Sequence, residues 1–189
     1  MGTETSDLEL MERVRDGDLA ELGVLFERHH QRLFNFFRKL GSGRPQSEDL
    51  VQEVFVRILK YRRNFRPGSD FLPWVYRIAR NAAADYHQRG GREVQEAVGD
   101  GGEPRQHPDA QPLASEELLR SESERRLQAA LARLPAERRE VLVLARYQEL
   151  RYEEIAALLE TTVPAVKVRV HRAMKQLRDL YHGTEEARA

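Results

Sequence analysis

Apolar residues recur along this chain at spacings of three and four, the period of a helix face, and nowhere alternate as a half-buried strand requires. Leu22, Leu25, Phe26, Leu33, Phe36 and Phe37 mark one broad stripe. Asp18 and Glu21 stand at capping-box spacing before it, and Gly41 and Gly43 mark its end. Ser47 is then expected to cap a second helix, with Glu48 and Asp49 favouring the positive end of its dipole. Its buried stripe is Leu50, Val51, Val54, Phe55, Ile58 and Leu59. The run Arg66–Asp70 (RPGSD) has turn composition. A third helix is predicted from about Phe71 to Gln88, with Trp74, Val75, Ile78 and Ala82 at helical spacing. Further on, Ser115 can cap a helix through Leu134, Pro135 ends it and opens another through about Arg146, and two shorter helices follow.

The pattern fails between Gly90 and Pro112, where five Gly and three Pro fall in 23 residues with few large apolar groups. Such a stretch cannot bury enough surface to offset its ordering entropy. The predicted fold class is therefore all-α: two small helical domains joined by a flexible linker, the C-terminal one containing a helix-turn-helix. The expected divisions are an N-terminal domain over 1–90, an acidic linker over 91–114, a C-terminal domain over 115–182 and a disordered tail over 183–189.

The helix-turn-helix is the sharpest local signal. Glu153 to Leu159 makes a short amphipathic helix with Ile155, Ala156 and Leu159 inward. Ala156 is small, as a steep helix crossing needs. Glu160, Thr161 and Thr162 make the turn; Thr162 is a good N-cap, and Pro164 falls in the first helical turn, where its missing donor costs nothing. The second helix buries Val166, Val170, Ala173 and Leu177. Its other face carries Lys167, Arg169, Arg172, Lys175 and Arg178, with no acid from Val163 to Arg178. A recognition helix reads bases with its N-terminal part. Lys167, Val168, His171 and Arg172 are thus the candidate base-edge contacts, with Val168 suited to a thymine methyl and Arg172 to a guanine or a phosphate.

Charge sharpens the division. The chain holds 31 basic and 31 acidic residues, yet residues 1–90 are net +2, 91–123 net −5 and 124–182 net +4. Two basic blocks flank an acidic connector, a pattern shared by nucleic-acid binders and by ordinary solvated helix faces. In the first block Arg57, Lys60, Arg62, Arg63 and Arg66 crowd the end of the second helix, interleaved with Phe65, Phe71, Trp74 and Tyr76. Rings beside cations suit single-stranded nucleic acid, although the spacing of Trp74 with Ile78 also suits a core position. Asn81, a poor helix former in mid-helix, either caps a neighbouring backbone group or reads a base edge.

Other chemistry is excluded or unsupported. The chain has no Cys, which rules out disulfides and thiolate zinc sites. The six His are scattered, and adjacent His29 and His30 cannot share a helix face. There is no Gly-rich phosphate loop. No enzyme activity, metal, cofactor or small-molecule substrate is expected. No apolar run approaches the roughly 18 residues of a membrane span, and the acidic, polar Met1–Leu10 is unlike a targeting signal, so a cytoplasmic protein is expected.

Three segments together resemble the extracytoplasmic-function group of bacterial sigma factors: DLVQEVFVRIL at 49–59, FRPGSDFLPWVYRIARNAAADY at 65–86, and LPAERREVLVL with YEEIAALL and VKVRVHRAMKQL between 134 and 177. The resemblance covers most of residues 8–180, in the family's order and spacing. It implies that the N-terminal domain docks on the clamp of core RNA polymerase through Asp49, Gln52 and Glu53. It implies that the following turn and helix capture the minus-ten element through Arg66, Ser69, Phe71, Trp74, Arg77 and Asn81. The C-terminal domain would bind the minus-thirty-five duplex through Thr162, Lys167, Val168, Arg169, His171, Arg172 and Lys175 and touch the polymerase flap. The linker would lie near the RNA exit path, its acidity mimicking nucleic acid. By the same resemblance neither the long acidic N-terminal region of housekeeping sigma factors nor an extra C-terminal domain is expected, and short members of this kind imply an anti-sigma partner. The chain departs from the family at Glu149, Glu160 and Pro164, where Gly is common, at Arg151, where Ser or Thr is usual, and at Val168, where Ser is usual. The rival readings are a two-domain helix-turn-helix regulator that is not a sigma subunit, and a helical adaptor without a DNA role.

Overall fold

The computed structural model describes residues 5–97 and 115–186, and among them only helices: α1 (Asp7–Asp16), α2 (Glu21–Leu40), α3 (Arg44–Tyr61), a 3₁₀ turn (Arg62–Asn64), α4 (Phe71–Ala97), α5 (Ser115–Ala132), α6 (Ala136–Arg146), α7 (Tyr152–Leu158) and α8 (Val163–Glu186). Most of the acidic linker and the end of the tail lie outside the described residues, and the predicted helix after the linker begins at Ser115. No described helix is long and apolar enough to cross a membrane.

The hydrophobic stripes fall where the periodicity puts them, but three starts differ. α1 precedes the first predicted helix. Its capping box was legible: the Ser6 N–H donates to Glu9 Oε2 at 2.8 Å, the Glu9 N–H donates to Ser6 Oγ at 3.3 Å, and Leu10, Met11 and Val14 are buried just beyond. The Asp18–Glu21 box does not form. Asp18 Oδ1 accepts from Ala20 N–H, and Arg13 of α1 takes the Glu21 carboxylate at 2.8 Å, so α2 starts without a side-chain cap. Ser47 does not cap α3 either. That helix begins a turn earlier at Arg44, with Pro45 among its first residues, and buried Ser47 donates its hydroxyl back to Gly43 O at 2.8 Å.

Two ends also run on. α4 continues to Ala97 through Gly90 and Gly91, and α8 to Glu186 through Gly183. Glycine costs a helix about 1 kcal/mol but leaves its hydrogen-bond ladder intact, whereas proline breaks it.

α2, α3 and α4 pack together with α1 laid against α2, while α6, α7 and α8 form a second bundle with α5 along α8. α2 and α4 then meet α6 and α7, so the two bundles share a face. Tyr76 of α4 lies in that face, 1 % exposed, edge-on to Phe36. Its hydroxyl donates to buried Gln148 Oε1, and Arg32 Nη2 donates to Gln148 O at 2.9 Å. Burial pushes the Tyr76 phenol well above its ordinary range, keeping it a protonated donor. At the rim, Arg139 Nη1 donates to Leu40 O at 2.7 Å; the next residue, Gly41, ends α2 at φ 106°, a backbone conformation that L side chains rarely adopt.

Candidate nucleic-acid interface

The recognition helix is built as its sequence implies. Thr162 Oγ1 accepts from Ala165 N–H at 3.3 Å, the cap expected of it, and Val166, Val170, Ala173 and Leu177 are buried. α7 ends in a left-handed residue, Glu160 (φ 51°), and Thr161 N–H closes back on Ala156 O at 2.9 Å. Arg151 is the N-cap of α7 in extended backbone, but its own side chain caps nothing. The capping partner is Glu154, whose Oε2 accepts the Arg151 N–H at 2.6 Å. That half of a capping box substitutes for the missing Ser or Thr.

With the inner stripe buried, Lys167, Val168, Arg169, His171, Arg172 and Lys175 are all exposed, as is Thr162. Val168 is 47 % exposed, an apolar side chain held off the core on a cationic helix face. The face can take phosphates by charge and a thymine methyl by apolar contact.

The second surface lies at the start of α4. Pro67 and Gly68 (φ 72°) form a type II corner closed by Ser69 N–H on Arg66 O at 3.1 Å. Arg66, Arg77 and Asn81 are exposed, Ser69 and Trp74 half-buried. Trp74, Arg77 and Asn81 share one side of the helix. Arg77 reaches Ala157 O of α7 at 3.4 Å, and Asp70 in the turn pairs with Arg151 at 2.8 Å. The remaining aromatics correct the sequence reading. Phe71 is 3 % exposed, with its ring 5.1 Å from buried His29; Phe65 is 1 % exposed, edge-on beneath Trp74 at 5.2 Å; Tyr76 faces the other bundle. Of that interleaved set only Trp74 keeps an accessible edge. Phe65 and Phe71 support the surface from below.

The basic cluster divides likewise. Arg57 is bound to Glu53 at 2.6 Å and Asp85 at 2.8 Å, and Arg62 donates to Leu59 O at 2.7 Å, so both are structural. Arg63 and Arg66 are exposed.

On α3, Asp49 and Gln52 are exposed and Glu53 is half-buried and oriented by Arg57. Val56, at 59 % exposure, completes that face, which sequence reasoning missed because Val suits a core stripe equally well. A shallow cleft of about 190 Å³ lined by Asp49, Glu53, Arg57 and Tyr86 runs beside it. Among the described residues no group of three His, Cys, Asp or Glu is placed to hold a metal.

The described residues thus form two helical bundles, one carrying a capped basic helix after a tight turn and the other a cationic turn beside a half-buried Trp. Two family models match the chain: Sigma-70 region 2 matches residues 25–93 and Sigma-70, region 4 matches residues 124–177. The chain is 31% identical over 183 residues to the ECF RNA polymerase sigma-E factor of Escherichia coli (strain K12), covering 94% of this chain and 95% of that protein. It is 34% identical over 169 residues to the ECF RNA polymerase sigma factor SigE of Mycolicibacterium smegmatis, covering 87% of this chain and 64% of that longer protein. Among solved structures it is similar to the sigma factor RpoE of Bartonella quintana, crystallised with the anti-sigma factor NepR, with a TM-score of 0.68 and 27% identity over 84% of this chain and 94% of that one. The chain belongs to the extracytoplasmic-function group of sigma factors. These are non-enzymatic factors of transcription initiation.

Proposed function

We propose that this chain directs core RNA polymerase to promoters by reading the minus-thirty-five element as duplex with α8 and by melting and capturing the minus-ten element with the Arg66–Asp70 turn and α4. Docking on the polymerase clamp is through Asp49, Gln52 and Glu53 of α3, with flap contact from the C-terminal bundle, in the cytoplasm. The observation that carries this reading is the pairing of two different exposed cationic surfaces in one chain. One is a regular cationic helix suited to a groove; the other is an aromatic and cationic turn suited to an unstacked base. A single-purpose helix-turn-helix regulator needs only the first. An anti-sigma protein is the expected inhibitor, supported by the NepR complex of the Bartonella relative.

The test is reconstitution. Purified protein added to core polymerase is expected to initiate at promoters of its own genome, and inert protein with every inhibitor removed overturns the reading in favour of a regulator. Asp49→Arg should abolish polymerase binding and leave duplex binding by the C-terminal helix intact; equal loss of both would contradict this division of labour.

A further inference from the structure

The Arg66–Asp70 turn is not held by its own residues alone. Its Arg66 O to Ser69 N–H bond is compatible with either a type I or a type II corner. The two differ by a flip of the central peptide, Pro67–Gly68, which swings the Gly68 N–H to the opposite side. That N–H is held: it donates to Glu12 Oε1 at 3.0 Å, from α1, 56 positions earlier. α1 is a firm support. Its capping box closes its start, Asp7 accepts from Arg28 at 2.9 Å and from His29 Nε2 at 2.7 Å, Arg13 pairs with Glu21 at 2.8 Å, and Leu10, Met11 and Val14 are buried. Glu12 is half-buried, on the same helix.

We propose that Glu12 is a positioning residue for minus-ten capture: by holding the Gly68 N–H it selects the type II form of the turn and so sets where Arg66 and Ser69 meet single-stranded DNA. This rests on the reading of that turn as the minus-ten surface. Glu12 itself touches no DNA; its carboxylate acts as a hydrogen-bond acceptor, and an amide oxygen can take its place.

The experiment uses full-length protein bound to core polymerase and a fluorescent single-stranded oligonucleotide carrying the non-template minus-ten sequence of a promoter the holoenzyme transcribes. Glu12→Ala should weaken oligonucleotide binding by about fivefold, the size of one lost hydrogen bond, with core affinity and melting temperature unchanged. Glu12→Gln should restore most of it. Three results overturn the proposal: wild-type binding by Glu12→Ala while Asn81→Ala binds weakly, which leaves the surface standing without its brace; a Glu12→Gln as weak as Glu12→Ala, which makes the effect one of charge; or a general loss of core affinity or stability, which makes Glu12 a mere folding contact. If Asn81→Ala and Trp74→Ala also bind normally, the minus-ten reading fails and the brace falls with it.

Discussion

Glu149 and Glu160 both hold left-handed backbone, at φ 54° and 51°, where an L side chain crowds its own carbonyl. Both stand where the resemblance leads one to expect Gly. Glu160 ends α7 and sets the turn into α8, so its strain sits inside the helix-turn-helix. Glu160→Gly relieves it, offset in part by the greater freedom of Gly in the unfolded chain, and should stabilise the protein by about 1 kcal/mol; chemical denaturation of the pair measures it. His29 offers a second residue-scale prediction. Burial lowers its pKa despite the nearby Asp7 carboxylate, with Arg32 and Arg28 adding to the effect. The folded state thus prefers neutral His29, donating from Nε2 to Asp7. Stability from this group is fully present above the ordinary histidine range and is lost as pH falls below it. The thermal midpoint should fall from pH 7 to pH 5, and His29→Asn should flatten that fall while lowering the midpoint at pH 7. From sequence His29 was one of an adjacent pair; its role depends on Asp7, 22 residues away, at the start of a helix that hydrophobic spacing did not mark.

At the scale of elements, α8 is the most legible part of the chain because its cap, its stripe and its acid-free face lie within one continuous segment. Each of its exposed cations that meets a phosphate contributes about one to the salt slope of duplex binding. Lys167→Ala should weaken duplex affinity across all sequences and lower that slope by about one. Arg172→Ala is the sharper test: bidentate binding to guanine would relax selectivity at one position, costing about 1–3 kcal/mol there, whereas a phosphate contact would reproduce the Lys167 result. Binding titrations at several salt concentrations on matched and single-mismatch duplexes separate the two. α4 was less legible. Phe71, Trp74 and Tyr76 fall within six residues of one helix, and helical period alone does not say which of them meets α2, the other bundle or solvent.

Across the whole molecule the two bundles are joined by polar contacts as well as packing. Arg80 Nε pairs with Glu140 Oε1 at 2.6 Å and its Nη1 donates to Leu158 O at 3.0 Å; Asp70–Arg151, Arg139 to Leu40 O, Arg32 to Gln148 O, Arg77 to Ala157 O and the Tyr76–Gln148 bond also cross that face. Arg80 and Glu140 are partly exposed, so their pairing contributes about 1 kcal/mol. Glu140→Arg should loosen the shared face, seen as a longer distance between dyes on α2 and α6 by energy transfer. Combining it with Arg80→Glu should shorten that distance again. The absence of native Cys makes site-specific labelling simple.

Helix content and the recognition helix were determined by sequence alone, because period and caps act between residues a few positions apart. So was the family resemblance, carried by contiguous motifs. What only the tertiary structure decided involves partners far apart in the chain: the capture of Glu21 by Arg13 instead of a cap, the burial of Phe71 and Tyr76, the bracing of Gly68 by Glu12, and the face shared by the two bundles. Burial and hydrogen-bond partnership are set by which surfaces meet, and a stripe of apolar spacing records that a face is covered without recording by what.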